Sequence, residues 1–139
     1  MYLRLLLTVA TLAASPYATA CSCKGTLKQA VADASQIFVG QIIATQLLSL
    51  SPGAPAIGVQ ADIDIAQNIK GSDKNNLTVS TGAGGGDCGV PLHIGNSYVF
   101  FVSADRRTSI CAGTRRYVSG NKESDEFLNQ VKSYVLPTP

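Results

Sequence analysis

The chain has 139 residues, with 11 Lys and Arg against 9 Asp and Glu, a formal charge of +2, and 4 cysteines. That length supports one domain around one core. The near-balanced charge gives no electrostatic basis for binding nucleic acid, and without a Cys-x-x-Cys pair the usual signature of a thiol redox enzyme is missing.

Residues 1–20 read as a secretory signal peptide. Arg4 is their only charge, Leu5-Leu6-Leu7 opens an apolar run too short for a membrane span, and Ala18-Thr19-Ala20 is a small-x-small cleavage sequence. Cleavage after Ala20 starts the mature domain, residues 21–139, at Cys21-Ser22-Cys23 and gives Cys21 a free α-amine. Thr19-Ala20-Cys21 also fits the end of a lipobox, so a lipid anchor on Cys21 is the competing outcome. No later stretch has the roughly 20 apolar residues of a membrane helix. The compartment is secreted or periplasmic, and there the even set Cys21, Cys23, Cys88 and Cys111 implies two disulfides. A Cys21–Cys23 bridge closes a strained ring, which leaves two long-range pairings open.

Thr26 is placed to cap a helix over residues 27–35, with Leu27, Ala30, Val31 and Ala34 on one face. Residues 36–48 read as a strand, and Gly40 within it suggests a bulge or sharp bend. Pro52, Gly53 and Pro55 mark residues 49–56 as a loop. Ile57, Val59, Ala61, Ile63 and Ile65 alternate with polar or small residues in a half-buried strand, ending in a turn at Lys70-Gly71-Ser72-Asp73. Residues 77–81 form a third strand, a glycine-rich loop follows over 82–87, and 98–102 form a fourth, strongly apolar strand. A fifth strand is expected near 114–119 and a final helix near 123–135, capped by Asn121, with Phe127, Leu128, Val131, Tyr134 and Val135 as its apolar face. Short strands separated by turns, with two flanking helices, suggest a five-stranded closed barrel of the OB type.

Other chemistry is weakly supported. A four-cysteine zinc site is the alternative use of these residues, but Cys-x-Cys is not the usual spacing and export favours disulfides. His93 is the sole histidine, which excludes a multi-histidine metal centre, and no nucleophile motif accompanies it. Asp62 and Asp64 share one strand face, where solvated positions are the simpler reading. The glycines of 82–86 lack the Gly-Lys-Ser/Thr of a phosphate loop. Arg106-Arg107 and Arg115-Arg116 suggest a basic patch on a solvated face, and Asn76-Leu77-Thr78 matches a glycosylation sequon. The chain is therefore read as a non-enzyme without a cofactor.

Taken together, Cys21-Ser22-Cys23, Gln29-Ala30 in a short helix, Ile37-Phe38-Val39-Gly40, Lys70-Gly71, Cys88-Gly89, Gly95 with Tyr98 and the late Cys111 resemble the netrin-like domain. The likeness is greatest to the N-terminal domain of the tissue inhibitors of metalloproteinases, and it covers nearly all of residues 21–135. It implies the pairing Cys21–Cys88 and Cys23–Cys111. The family's third bridge has no counterpart, since its helix position falls at Ala32, and the loop at 49–56 is particular to this chain.

The resemblance further implies that the Cys21 amine and carbonyl oxygen chelate the catalytic zinc of a partner protease. Ser22 then points into the pocket beside the metal, and Lys24 lies on the primed side of the cleft. Gly86 and Asp87, joined to the N-terminus through Cys88, fill the opposite side. The alternative expectation is a netrin-like module that binds another extracytoplasmic protein and uses the tethered N-terminus only as a staple.

Overall fold

The computed structural model describes residues 21–71 and 75–136. The expected signal peptide, Ser72 and Asp73 of the expected turn, and the last three residues lie outside them. Seven elements follow in order: α1 (Leu27–Asp33), β1 (Gln36–Leu48), β2 (Gly58–Lys70), β3 (Asn76–Gly82), β4 (Ser97–Val102), β5 (Arg115–Tyr117) and α2 (Lys122–Val135). The strands form one antiparallel sheet in the order β3-β2-β1-β4-β5.

The two helices begin where their caps predict. The Thr26 hydroxyl accepts from Gln29 N at 3.2 Å, and the Asn121 side chain accepts from Ser124 N at 3.1 Å, each satisfying a backbone donor that the first turn leaves unpaired. Helix α1 stops at Asp33, two residues short of the expected end. Lys70 closes that end, because its Nζ donates to Val31 O at 2.7 Å, Ala32 O at 3.1 Å and Ala34 O at 2.6 Å. A cation on the last carbonyls complements the negative end of the helix. Lys70 is thus the final residue of β2 rather than the first of a turn, and the chain turns at Gly71, where φ is +95°.

Strand β1 is the centre of the sheet. It pairs with β2 over most of its length and with β4 over Gln36–Gln41. Its register against β2 shifts between Val39 and Gly40, as an interior glycine suggests, and again between Ile42 and Ala44. Gly40 is required by close approach: a Cβ there would overlap the Ile63 side chain and stand 3.0 Å from Asp64 O.

Both faces of the central strands are covered, which is why β4 is apolar without alternation. Phe38, Ile42, Ala61, Ile63, Leu77, Val79, Tyr98, Phe100 and Val102 form one core cluster. Ile37, Val39, Val99 and Phe101 pack on the other face against Val31 and Ala34 of α1 and Leu128 and Val131 of α2. Phe127 and Val135 are partly buried there, whereas Tyr134, expected on the same apolar face, is 40% exposed. Tyr117 ties β5 to α2 by donating to Asp125 Oδ1 at 2.9 Å, and this bond raises the phenol's pKa above its ordinary value.

The expectation of a closed barrel is corrected: the sheet is open. Strand β5 is only three residues long and is used in pairing with β4. Between β3 and the segment after β4 there is one parallel bridge, Ser80 to Arg107. Ser80 N donates to Arg106 O and Thr108 N donates to Ser80 O, each at 2.9 Å. A single bridge fastens the two sides without making a ladder.

Candidate functional site

The site is assembled where residues 21–24 meet two loops. Cys21 is bonded to Cys88 and Cys23 to Cys111, the pairing implied by the resemblance. The two anchor cysteines are 23 residues apart in sequence by their numbering, and a backbone bond from Ile110 N to Cys88 O, 2.9 Å, brings their segments together. The bridges therefore lie side by side, with Cys21 Sγ 3.4 Å from Cys111 Sγ and 4.0 Å from Cys23 Sγ. All four cysteines are paired. The sulfurs of Cys21, Cys88 and Cys111 lie within 4.8 Å of one another, but they are held as disulfides, not as the thiolates a zinc site needs.

Residues 21–24 carry no helix or strand and lie on the surface: Cys21 is half-buried, and Ser22, Cys23 and Lys24 are exposed. Three residues after Lys24, α1 begins. The segment is thus fixed at Cys21 and Cys23 by the bridges, and its continuation is fixed by the packed helix.

The glycine-rich loop lies on the other side of Cys88. Gly84, Gly85 and Gly86 all have positive φ, as does Cys88 at 59°, a region most side chains avoid. Asp87 organises the loop. Its carboxylate accepts from Ala83 N at 2.7 Å, Gly84 N at 2.9 Å and Gly89 N at 3.0 Å. These bonds, that from Gly89 foremost, hold the carboxyl below its ordinary value of 3.8, although desolvation opposes them more strongly than either the Gly84 or the Ala83 bond alone favours it. Behind the loop, Val90 N donates to the buried Thr81 hydroxyl at 2.9 Å.

Of the residues expected in a contact wedge, Cys21, Cys23 and Cys88 are brought together, with Cys111 joining them as the bridge partner of Cys23. Ser22, Lys24 and Gly86 are exposed on the segments those cysteines anchor. Asp87 is exposed as a residue, but its carboxylate is committed to its own loop rather than free for a partner.

A groove of about 470 Å³ adjoins this edge, lined among others by Ala34, Ile57, Asp87, Phe101, Arg107 and Cys111. No single stretch of sequence carries its signature, because its walls come from α1, the ends of β3 and β4 and the three loops that hold Ile57, Asp87 and Arg107. Its one sign in the sequence is the pair Arg106-Arg107, expected with Arg115-Arg116 to form a basic patch. The pairs have different surroundings: Arg107 lines the groove, the Arg115 guanidinium sits 4.0 Å over the Phe127 ring, and Arg116 Nη2 lies 3.4 Å from Asn96 Oδ1.

The remaining candidates are peripheral. His93 is exposed, and its backbone N–H donates to Tyr98 Oη at 3.2 Å, while that hydroxyl donates to Pro91 O at 2.8 Å. Asp62 and Asp64 are exposed on β2, with Asp62 Oδ1 accepting from the Thr78 hydroxyl at 2.6 Å. Asn76, of the sequon, is the exposed first residue of β3. No helix among the described residues is long and apolar enough to cross a membrane. Searches with family models and against curated proteins found no match to this chain.

Proposed function

We propose that the chain is an exported protein that inhibits zinc metalloproteases through its N-terminus. The observation that carries this reading is the immobilisation of residues 21–24 on the surface by two adjacent disulfides, beside an ordered glycine loop. Cleavage after Ala20 converts the Cys21 nitrogen into an α-amine. Such an amine has a pKa of roughly 7.7–8.0, so its neutral form is accessible near neutral pH.

The amine and the carbonyl oxygen of the same residue close a five-membered chelate. A catalytic zinc, which keeps one position open beside three protein ligands and can become five-coordinate, accepts both in place of its water. The bridges reduce the ordering cost of binding because the chelating residue is already held. Ser22 follows directly, with its hydroxyl exposed toward the pocket beside the metal, and Lys24 and Gly86 extend the contact on either side.

The test uses mature protein whose free Cys21 amine has been confirmed by mass, assayed against a panel of zinc endopeptidases. Inhibition is expected, and acetylating the amine or adding one alanine before Cys21 should weaken it at least about 100-fold, about 2.7 kcal/mol. Absence of inhibition across the panel, or inhibition indifferent to acetylation, overturns the zinc-directed mechanism. Protease binding that survives acetylation without inhibition identifies a netrin-like binding module instead.

A further inference from the structure

Strand β1 outlasts one of its two neighbours. Along β2 it is paired as far as Leu48, but along β4 its pairing stops at Gln41. Beyond that, Ile42 exchanges backbone bonds with the turn just before β4: Ile42 N donates to Asn96 O at 3.0 Å, and Gly95 N donates to Ile42 O at 2.8 Å. From there to Leu48, nothing among the described residues pairs with that side of the strand.

This open edge lacks the usual protection. Exposed edges are normally guarded by charged side chains, prolines or bulges, because their free N–H and C=O groups accept another strand. Here no charged residue occurs from Ile42 to Ala61, and Pro52 and Pro55 lie in the loop beyond the strand. The one guard is the register shift between Ile42 and Ala44, at the start of the open stretch. The same hairpin exposes large aliphatic side chains: Ile43 is 55% exposed, Leu47 69%, Leu50 83% and Ile57 55%.

The chemistry of the edge selects its occupant. A lipid phase offers nothing to the free backbone groups, and burying them unpaired costs several kcal/mol each. An extended polypeptide satisfies them. A second copy of this chain fits because the stretch is complementary to itself. In an antiparallel register centred on Thr45, Ile43 of each copy stands opposite Leu47 of the other, and Ala44 stands opposite Gln46. No like charges meet, since the stretch has none. The register ends with Leu48 of one copy beside Ile42 of the other. The Gly95–Asn96 turn already occupies the edge at Ile42, so pairing is confined to residues 43–47 and each chain must leave the axis at Leu48, the last residue of β1.

We propose that two copies associate by antiparallel pairing of residues 43–47 of β1 across a two-fold axis at Thr45. The interface is isologous and does not depend on the N-terminal chemistry.

Sedimentation equilibrium on the mature protein, at concentrations up to about 1 mM, tests it. A reversible dimer is expected. Thr45→Lys sets two ammonium groups opposite each other on the axis and should raise the dimer dissociation constant at least about tenfold, with the far-ultraviolet circular dichroism unchanged. Ser51→Lys, which adds the same charge in the loop off the edge, should leave the constant unchanged. A monomer throughout the range overturns the proposal, as does a dimer indifferent to Thr45→Lys or one weakened equally by Ser51→Lys.

Discussion

Ile110 donates its backbone N–H to the carbonyl oxygen of Cys88 at 2.9 Å, and the candidate site is built on that bond. It aligns the two segments that carry Cys88 and Cys111, so the bridges from Cys21 and Cys23 converge on one spot instead of holding residues 21–23 at two distant points. A peptide segment anchored twice within three residues has little freedom left, and the exposed Ser22 is presented in a set direction.

Each bridge spans a long stretch of chain, 67 residues for Cys21–Cys88 and 88 for Cys23–Cys111. Replacing Cys23 and Cys111 together by alanine should lower unfolding stability by about 2–5 kcal/mol, read from urea denaturation. The same variant keeps Cys21–Cys88 and a free amine. Any inhibition should therefore weaken without vanishing, because the chelating residue stays attached while residues 22–24 gain freedom.

Beneath the site, three residues close a buried ring of hydrogen bonds. Phe101 N donates to Thr114 Oγ1 at 2.8 Å, Thr108 Oγ1 donates to Phe101 O at 2.8 Å, and the two hydroxyls are 2.6 Å apart, with Thr114 donating to Thr108. Thr108 and Thr114 are 5% and 4% exposed. Thr114→Val preserves shape but strands the Phe101 N–H and should cost about 1–3 kcal/mol in urea denaturation. Thr114→Ser, which keeps the hydroxyl, should recover most of that loss.

Lys70 is a second internal support. Its ammonium group satisfies three carbonyls at the end of α1, the helix that continues directly from the tethered segment. Lys70→Met keeps the aliphatic stem and removes the donors. A loss of about 1.5–3 kcal/mol is expected for charge-assisted hydrogen bonds, with faster amide exchange at the end of α1 as the local readout.

Asp87 makes the loop sensitive to acid. Its carboxyl titrates below 3.8 in the folded protein, so its contribution to stability is complete above that value and is lost as pH falls through the lower folded value. Wild type should therefore lose more stability than Asp87→Asn between about pH 4 and pH 2, and the two should run parallel above pH 5. The measurement is the urea midpoint of each protein as a function of pH. Midpoints that stay parallel throughout would show that the three N–H bonds to Asp87 do not favour its ionised form.

Local and periodic features were legible in the sequence because each is decided by neighbouring residues. Thr26 and Asn121 cap their helices by reaching donors three positions ahead. The Gly40 irregularity, the strand at 36–48 and the even set of cysteines were likewise readable from residue type and spacing. The pairing of the cysteines entered through resemblance alone, since spacing left two pairings open.

Tertiary structure decided what depends on residues far apart in sequence. Whether five strands close into a barrel depends on whether β3 finds a ladder partner. Here it finds a single bridge at Arg107, and the sheet stays open. Lys70 became the last residue of β2 because three carbonyls of α1 draw its ammonium group there. The groove beside Cys111, the internal use of the Asp87 carboxylate and the unpaired edge of β1 have no local signature. Each arises from where a distant strand or loop ends, and hydrogen bonds and burial across such separations are set by the packed fold, not by the pattern of any one segment.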